Sequence, residues 1–153
     1  MNENEFDSRI YSDIFDEIHK GQCTSLEDFF VNHKDRIHDL FDQDVMHVAA
    51  MCNNVKAVKM FLDAGFSPDA CTKNSPTYPP LTAAVIHNSL EVINLLVDTG
   101  ADIHYHKNCG IARKPPYIAI AARDGNLSLV KFFYERGVDI NDEYTCGSTH
   151  MNA

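Results

Sequence analysis

Apolar positions recur along this chain in a fixed order. The segments Val45 to Gly65, Pro80 to Gly100 and Tyr117 to Gly137 superimpose without a gap over 21 positions. Met46, Leu81 and Ile118 coincide, as do Ala49, Ala84 and Ala121, then Ala50, Val85 and Ala122. That i, i+3, i+4 spacing predicts a short helix whose small residues admit a close neighbour. The columns Ala57/Val92/Leu129, Val58/Ile93/Val130, Phe61/Leu96/Phe133 and Leu62/Val97/Tyr134 predict a second helix. A helix pair repeated about every 35 residues predicts an all-α solenoid, in which each pair buries its apolar face only by stacking on the next.

The polar punctuation agrees. Asn54, Ser89 and Asn126 align immediately before the second helix, where a side-chain oxygen can accept from orphan N–H groups. Gly65, Gly100 and Gly137 align just past its end, where a left-handed residue closes a helix. Pro80 opens the first helix of its copy at the favoured first position, and Asp44 is the capping residue in the same role one copy earlier.

These copies resemble ankyrin repeats, whose pattern runs D-x-x-G-x-T-P-L-H-x-A-A, a turn, a V-V-x-L-L-L helix and G-A-D-V-N. Gly100-Ala101-Asp102-Ile103-His104 and Gly137-Val138-Asp139-Ile140-Asn141 match its second half, and Gly65-Phe66-Ser67-Pro68-Asp69 diverges further. Of the T-P-L-H box, copy two keeps Pro80 and Leu81, copy one keeps His47, and copy three keeps only the apolar Ile118. The resemblance implies an ankyrin-repeat solenoid with β-hairpin-like fingers, and repeats at about 42–73, 74–108 and 109–141. It also implies that His47 makes the family's helix-to-finger hydrogen bond. Ile18 to Gln22 followed by Leu26, Phe29 and Phe30 has the spacing of helix, Gly turn and helix, so residues 1–41 are expected to form a degenerate capping repeat. Residues 142–153 contain Gly147-Ser148-Thr149-His150-Met151, the start of a fourth repeat. The chain is therefore expected to be a fragment of a longer protein. The face around Ile118, Ala122, Val130 and Phe133 would lack its next neighbour, so the expected state is a monomer or one that self-associates weakly there.

Charge sharpens the picture. Thirteen Lys plus Arg against twenty-two Asp plus Glu gives −9, the wrong sign for a phosphate backbone, so nucleic acid is not an expected partner. Residues 1–44 hold twelve acids and four bases, net −8, and read as the solvated polar outer face of a capping repeat. The N-terminus lacks a signal sequence and no apolar run is long enough to span a bilayer, so membrane insertion is not expected. Five scattered cysteines without a CxxC pair fit reduced thiols and a cytoplasmic location, in a host cytosol if the protein is a microbial effector.

The expected activity is protein–protein binding as a scaffold or adaptor, without catalysis or cofactor. No P-loop, G-x-G-x-x-G, G-x-S-x-G or H-E-x-x-H is present. By the family pattern the exposed concave positions are Val48, Met51 and Cys52, then Ala83, Ile86 and His87, then Ile120, Arg123 and Asp124. Gly-to-Gly spacings of 35 and 37, against the 33 usual for such repeats, place extra residues in the fingers Asp69–Pro79 and His104–Pro116. The second finger gathers Tyr105, His106, Lys107, Arg113 and Lys114, and Tyr78 and Tyr144 lie in neighbouring fingers. These residues, with Met51, His87, Arg123 and Asp124, are the candidate contacts for a partner with an acidic or mixed surface patch, since Tyr and Arg are common interface anchors. His104, His106 and Cys109 offer zinc-type ligands at non-standard spacing. A Cys52 pair with His47 or His87 lacks a third, orienting group. The competing view is a targeting portion of a larger enzyme or secreted effector whose catalytic domain follows residue 153.

Overall fold

Helices of seven or nine residues are marginal alone, so the elements here are defined by how their ends are closed. The computed structural model describes residues 3–74, 78–105 and 116–141, with side chains from Asp7 onward. The chain forms two compact units, Met1–Ala101 and Asp102–Ala153. The first holds α1 (Glu3–His19), α2 (Thr24–Asn32), a 3-10 turn (Lys34–Arg36), α3 (Ile37–Asp42), α4 (Val45–Met51), α5 (Val55–Asp63), α6 (Pro80–Ile86) and α7 (Leu90–Asp98). The second holds α8 (Tyr117–Arg123) and α9 (Leu127–Glu135). No strand occurs among the described residues, so the described part of the first finger is not the β-hairpin that the pattern implied.

The second helices end as the glycines predict. Gly65 has φ 96°, its N–H bonds the Leu62 carbonyl and the Phe66 N–H bonds that of Phe61. The same pair of bonds recurs at Gly100–Ala101 and Gly137–Val138, so three otherwise orphaned helix ends are closed alike. The first helices end on Asn53 and Asn88, at φ 57° and 56°, and on Gly125 at φ 71°. Asn tolerates that left-handed geometry better than other non-glycine residues, which gives this column its composition.

In the first unit α4 packs against α6 and α5 against α7, burying Met46, Ala49, Ala57 and Phe61 with Leu81, Ala84, Val92 and Leu96. The N-terminal segment joins through aromatic rings: Phe30 lies edge-on to Phe61 at 5.2 Å, and Phe41 stacks on Phe66 at 4.6 Å. In the second unit α8 packs on α9, and Ile118, Ala121, Leu129 and Phe133 are buried. Ala122, expected in the apolar face, is exposed. The helical spacing is preserved, but the buried stripe of α8 falls on Tyr117, Ile118, Ile120 and Ala121 and leaves Ala122 outside it.

The N-cap column divides. Asn54 and Asn126 accept from Ala57 N–H and Leu129 N–H at 3.2 and 3.1 Å, as expected. Ser89 does not cap its own helix. Its hydroxyl donates instead to the Met51 carbonyl at 2.9 Å, and Asn53 of the preceding repeat accepts from Val92 N–H at 3.2 Å. The short Ser side chain is drawn to a half-buried carbonyl, and a neighbour supplies the cap. Asn54 also reaches back, donating to the Gln22 carbonyl at 3.2 Å and accepting from Cys23 Sγ at 3.3 Å.

The acidic segment is more than a solvated face. Arg36 donates to both oxygens of Asp7, at 2.9 and 2.8 Å, and to Asp39 at 3.0 Å. The guanidinium holds the Asp7 carboxyl below its usual range. Glu17 accepts from the N–H and hydroxyl of Ser25 at 2.6 and 3.0 Å, and Glu27 pairs with Lys56. These pairs pin α1 and α2 to their neighbours, which explains part of the charge concentration that net −8 only described.

Asn54→Ala is expected to lower unfolding stability by about 1–3 kcal/mol, because it removes an N-cap and the amide that donates to the Gln22 carbonyl and to the buried Ile18 carbonyl. Denaturant unfolding measures the loss, and Ser89→Ala, which keeps the Asn53 cap, is expected to cost less.

Candidate functional site

The pairing of α4 with α6 leaves a groove of about 360 Å³ in the first unit. Val48, Met51, Ala83 and Ile86 supply its apolar lining. Asp44, His47, Tyr78 and His87 complete it. Val48 and Met51 stand one turn apart on α4, as do Ala83 and Ile86 on α6, so the helical period alone sets both pairs on the groove. The sequence-derived contacts Met51, Tyr78 and His87 thus come together at one place, with Tyr78 38 % and Ile86 37 % exposed.

One rim is held rigidly. His47 is buried, and its Nε2 donates to the Tyr78 carbonyl at 2.7 Å, which is the helix-to-finger bond that the family resemblance implied. Burial pushes the imidazole below its usual pKa, against the Tyr78 carbonyl and Asp44, which favour the charged form. Asp44 corrects its expected role. It occupies the N-cap position at φ 61° but makes no side-chain cap bond to α4. Its carboxylate instead accepts from the Thr72 hydroxyl and lies 3.9 Å from His47 Nδ1. A left-handed backbone swings the carboxylate away from the helix N–H groups and towards the finger. Asn74 and Lys73 fasten the same finger to Asp42, through its carbonyl at 2.9 Å and its carboxylate at 2.8 Å. Side-chain bonds therefore hold this finger where a strand ladder was expected.

The remaining candidates are dispersed. Cys52 is half-buried, and burial pushes its thiol up. His47 bonds Tyr78 through Nε2 and its Nδ1 has no hydrogen-bond partner among the described residues, so the ring is not bonded to the Cys52 thiol. Ile120, implied to be exposed, is 6 % exposed, one helical turn from buried Tyr117 and on the same side of α8. Arg123 and Asp124 are exposed and pair with each other at 3.0 Å. His104 and Tyr105 are half-buried, and Asp102 accepts from the His104 N–H at 2.8 Å. His106, Lys107, Cys109, Arg113, Lys114 and Tyr144 lie outside the described residues, so of the zinc-type trio only His104 is placed. Among the described residues no group of three His, Cys, Asp or Glu side chains could hold a metal ion, and no helix is long and apolar enough to cross a membrane.

Because His47 is held below its unfolded value of 6.5, the neutral ring stabilises the fold above that pH, and the contribution is lost as pH falls through 6.5 towards the folded value. As pH falls below 6.5 the denaturation midpoint is expected to fall. His47→Gln, which keeps a donor for Tyr78, should flatten the profile in that window. The Asp7 carboxyl, held below 3.8, acts only at lower pH. An unchanged slope in the variant would overturn the assignment.

Comparison with known proteins agrees with this construction. A family model described as ankyrin repeats (three copies) matches residues 15–107. It takes in most of the N-terminal segment read as a degenerate cap and stops before the third copy, which stands on its own registered helix pair. The chain is 30 % identical over 111 residues to mouse ankyrin repeat and SOCS box protein 2, covering 72 % of this chain and 16 % of that protein. It is 34 % identical over 65 residues to rice E3 ubiquitin-protein ligase XB3, covering 42 % of this chain and 14 % of that protein. The chain thus spans about a sixth or less of the length of these relatives, and the family model and the mouse relative agree with the repeat pattern already traced through its helices and caps: it belongs to the ankyrin-repeat family.

Proposed function

We propose that this chain is a non-catalytic recognition module that binds a partner protein through the groove on α4 and α6 and through its fingers. The observation that carries the reading is the convergence of Met51, Tyr78, Ile86 and His87 on one open, apolar-floored groove. Apolar and aromatic side chains held on a rigid scaffold suit a protein surface. The groove's buried imidazole and the half-buried Cys52 thiol outside its lining, which burial pushes up, are poor catalytic groups.

The second finger extends the proposed interface. Tyr105, His106, Lys107, Arg113 and Lys114, with Arg123, Asp124 and Tyr144, would meet an acidic or mixed patch of the same partner. A cytosolic setting fits the thiols of Cys23, Cys52 and Cys71.

A second reading is favoured by the relatives. The name of one joins ankyrin repeats to a SOCS box, and the other is named an E3 ubiquitin-protein ligase. Recognition by this chain would then recruit a partner to an activity carried by another domain or subunit.

Affinity capture from cytosol, read by mass spectrometry, tests the module. A groove variant, Met51→Glu with Ile86→Glu, is expected to lose at least about tenfold of the captured partner, as hot-spot losses of this kind do. Retention of the partner by that variant, folded as judged by circular dichroism, would exclude the groove. A finger variant with Tyr105, Lys107, Arg113 and Arg123 changed to Ala should weaken capture independently.

A further inference from the structure

We propose that the groove takes a segment of a partner protein in which an apolar side chain stands beside a lysine or arginine. This deepens the binding role proposed above and rests on it.

The lining supplies the first half of the argument. Val48, Met51, Ala83 and Ile86 present methyl, thioether and aliphatic groups with no competing donor or acceptor. At about 360 Å³ the groove sits near the lower limit of ligand-sized clefts, which is room for one or two side chains rather than a folded domain. An inserted apolar side chain would remove the exposed part of Ile86 from water, and methionine adapts its shape to such occupants.

Charge supplies the second half. The groove lining contains no Lys or Arg. Its one carboxylate, Asp44, keeps 24 % of its side chain exposed, while burial favours the neutral form of His47 beside it. The unit that carries the groove holds sixteen acids and seven bases, so residues 1–101 bear the whole −9, and residues 102–153 hold six of each. Four of the seven bases are matched within the unit: Arg36 by Asp7, Lys56 by Glu27, Lys59 by Asp63 and Lys73 by Asp42. The field over the groove is therefore negative. An anionic segment would be repelled, and a neutral one would gain nothing from it. A segment pairing a cation with an apolar group would be steered in and then held by burial.

Selection of a random twelve-residue peptide library on the immobilised full chain tests this. The selected pool is expected to carry an excess of Lys plus Arg over Asp plus Glu, with an apolar residue within two positions of a base. Ile86 is partly exposed on α6, so both Ile86→Lys and Ile86→Glu should fold. They lose the same apolar contact and differ in the sign of the charge introduced. The best peptide should weaken on both, and at least about threefold more on Ile86→Lys, the scale expected when an exposed charge is reversed. Its affinity should also fall as salt rises from 50 to 300 mM. A pool rich in acidic or neutral peptides that is lost equally on both variants overturns the charge assignment and leaves the groove standing. A pool indifferent to both variants, or no pool, removes the groove reading and this inference with it.

Discussion

A helix of seven residues leaves four N–H groups at one end and four carbonyls at the other without intrahelical partners, so most of its backbone depends on what surrounds it. That constraint governs this fold. Every helix pair must import both apolar cover and hydrogen bonds, and the two imports arrive at the same turns. Asn53 shows the economy. Its left-handed backbone ends α4, its side-chain oxygen caps α7 in the next repeat, and its amide donates to Glu91, whose carboxyl is held below its usual range by that bond. One residue closes a helix, opens another and fixes the spacing between two repeats.

The candidate groove follows from the same requirement. If adjacent repeats lock through their second-helix caps, their first helices lie side by side, and whatever points away from the second helices becomes shared surface. His47 then solves a capping problem at the groove's edge. It crosses from α4 to the Tyr78 carbonyl and sets the backbone just before Pro79, the N-cap of α6. Asp44 and Thr72 brace the other side of the same finger. The groove is rigid because its rim is made from the bonds that assemble the repeats, and a rigid apolar surface loses little entropy on binding.

Much of this was legible in the sequence, because the repeat turns local patterns into long-range statements. The gapless registration of three copies fixed the helix pairs, the glycine ends and the joint appearance of Met51, Ile86 and His87. What stayed hidden were side chains whose partner lies a repeat away. Ser89 reads as a cap because the local rule is right for Asn54 and Asn126, but a carbonyl 38 residues back competes for its hydroxyl. Asp44 reads as a cap because nothing in its neighbourhood announces a left-handed backbone. The column Asn53, Asn88, Gly125 did carry a signal for left-handed geometry, since Asn and Gly are the residues that adopt it. Ile120 and Ala122 show the remaining gap: periodicity gives the direction of a side chain, and exposure depends on which neighbours are present to cover it.

The division of charge bears on how recognition works in a repeat protein. Total charge of −9 describes neither unit, since one carries all of it and the other is balanced. Within the first unit the bases are drawn into structural pairs that hold the N-terminal helices and the finger, Arg36 with Asp7 and Lys73 with Asp42 among them. Each such pair takes up one base and one acid together, so the net charge is unchanged and the excess of nine acids stays on the unit where the apolar lining is open. Surface pairs of this kind add little stability singly. Their larger effect here is on what is left over: with four of the unit's seven bases tied to acids, the excess of nine acids gives a groove built by packing an electrostatic preference as well.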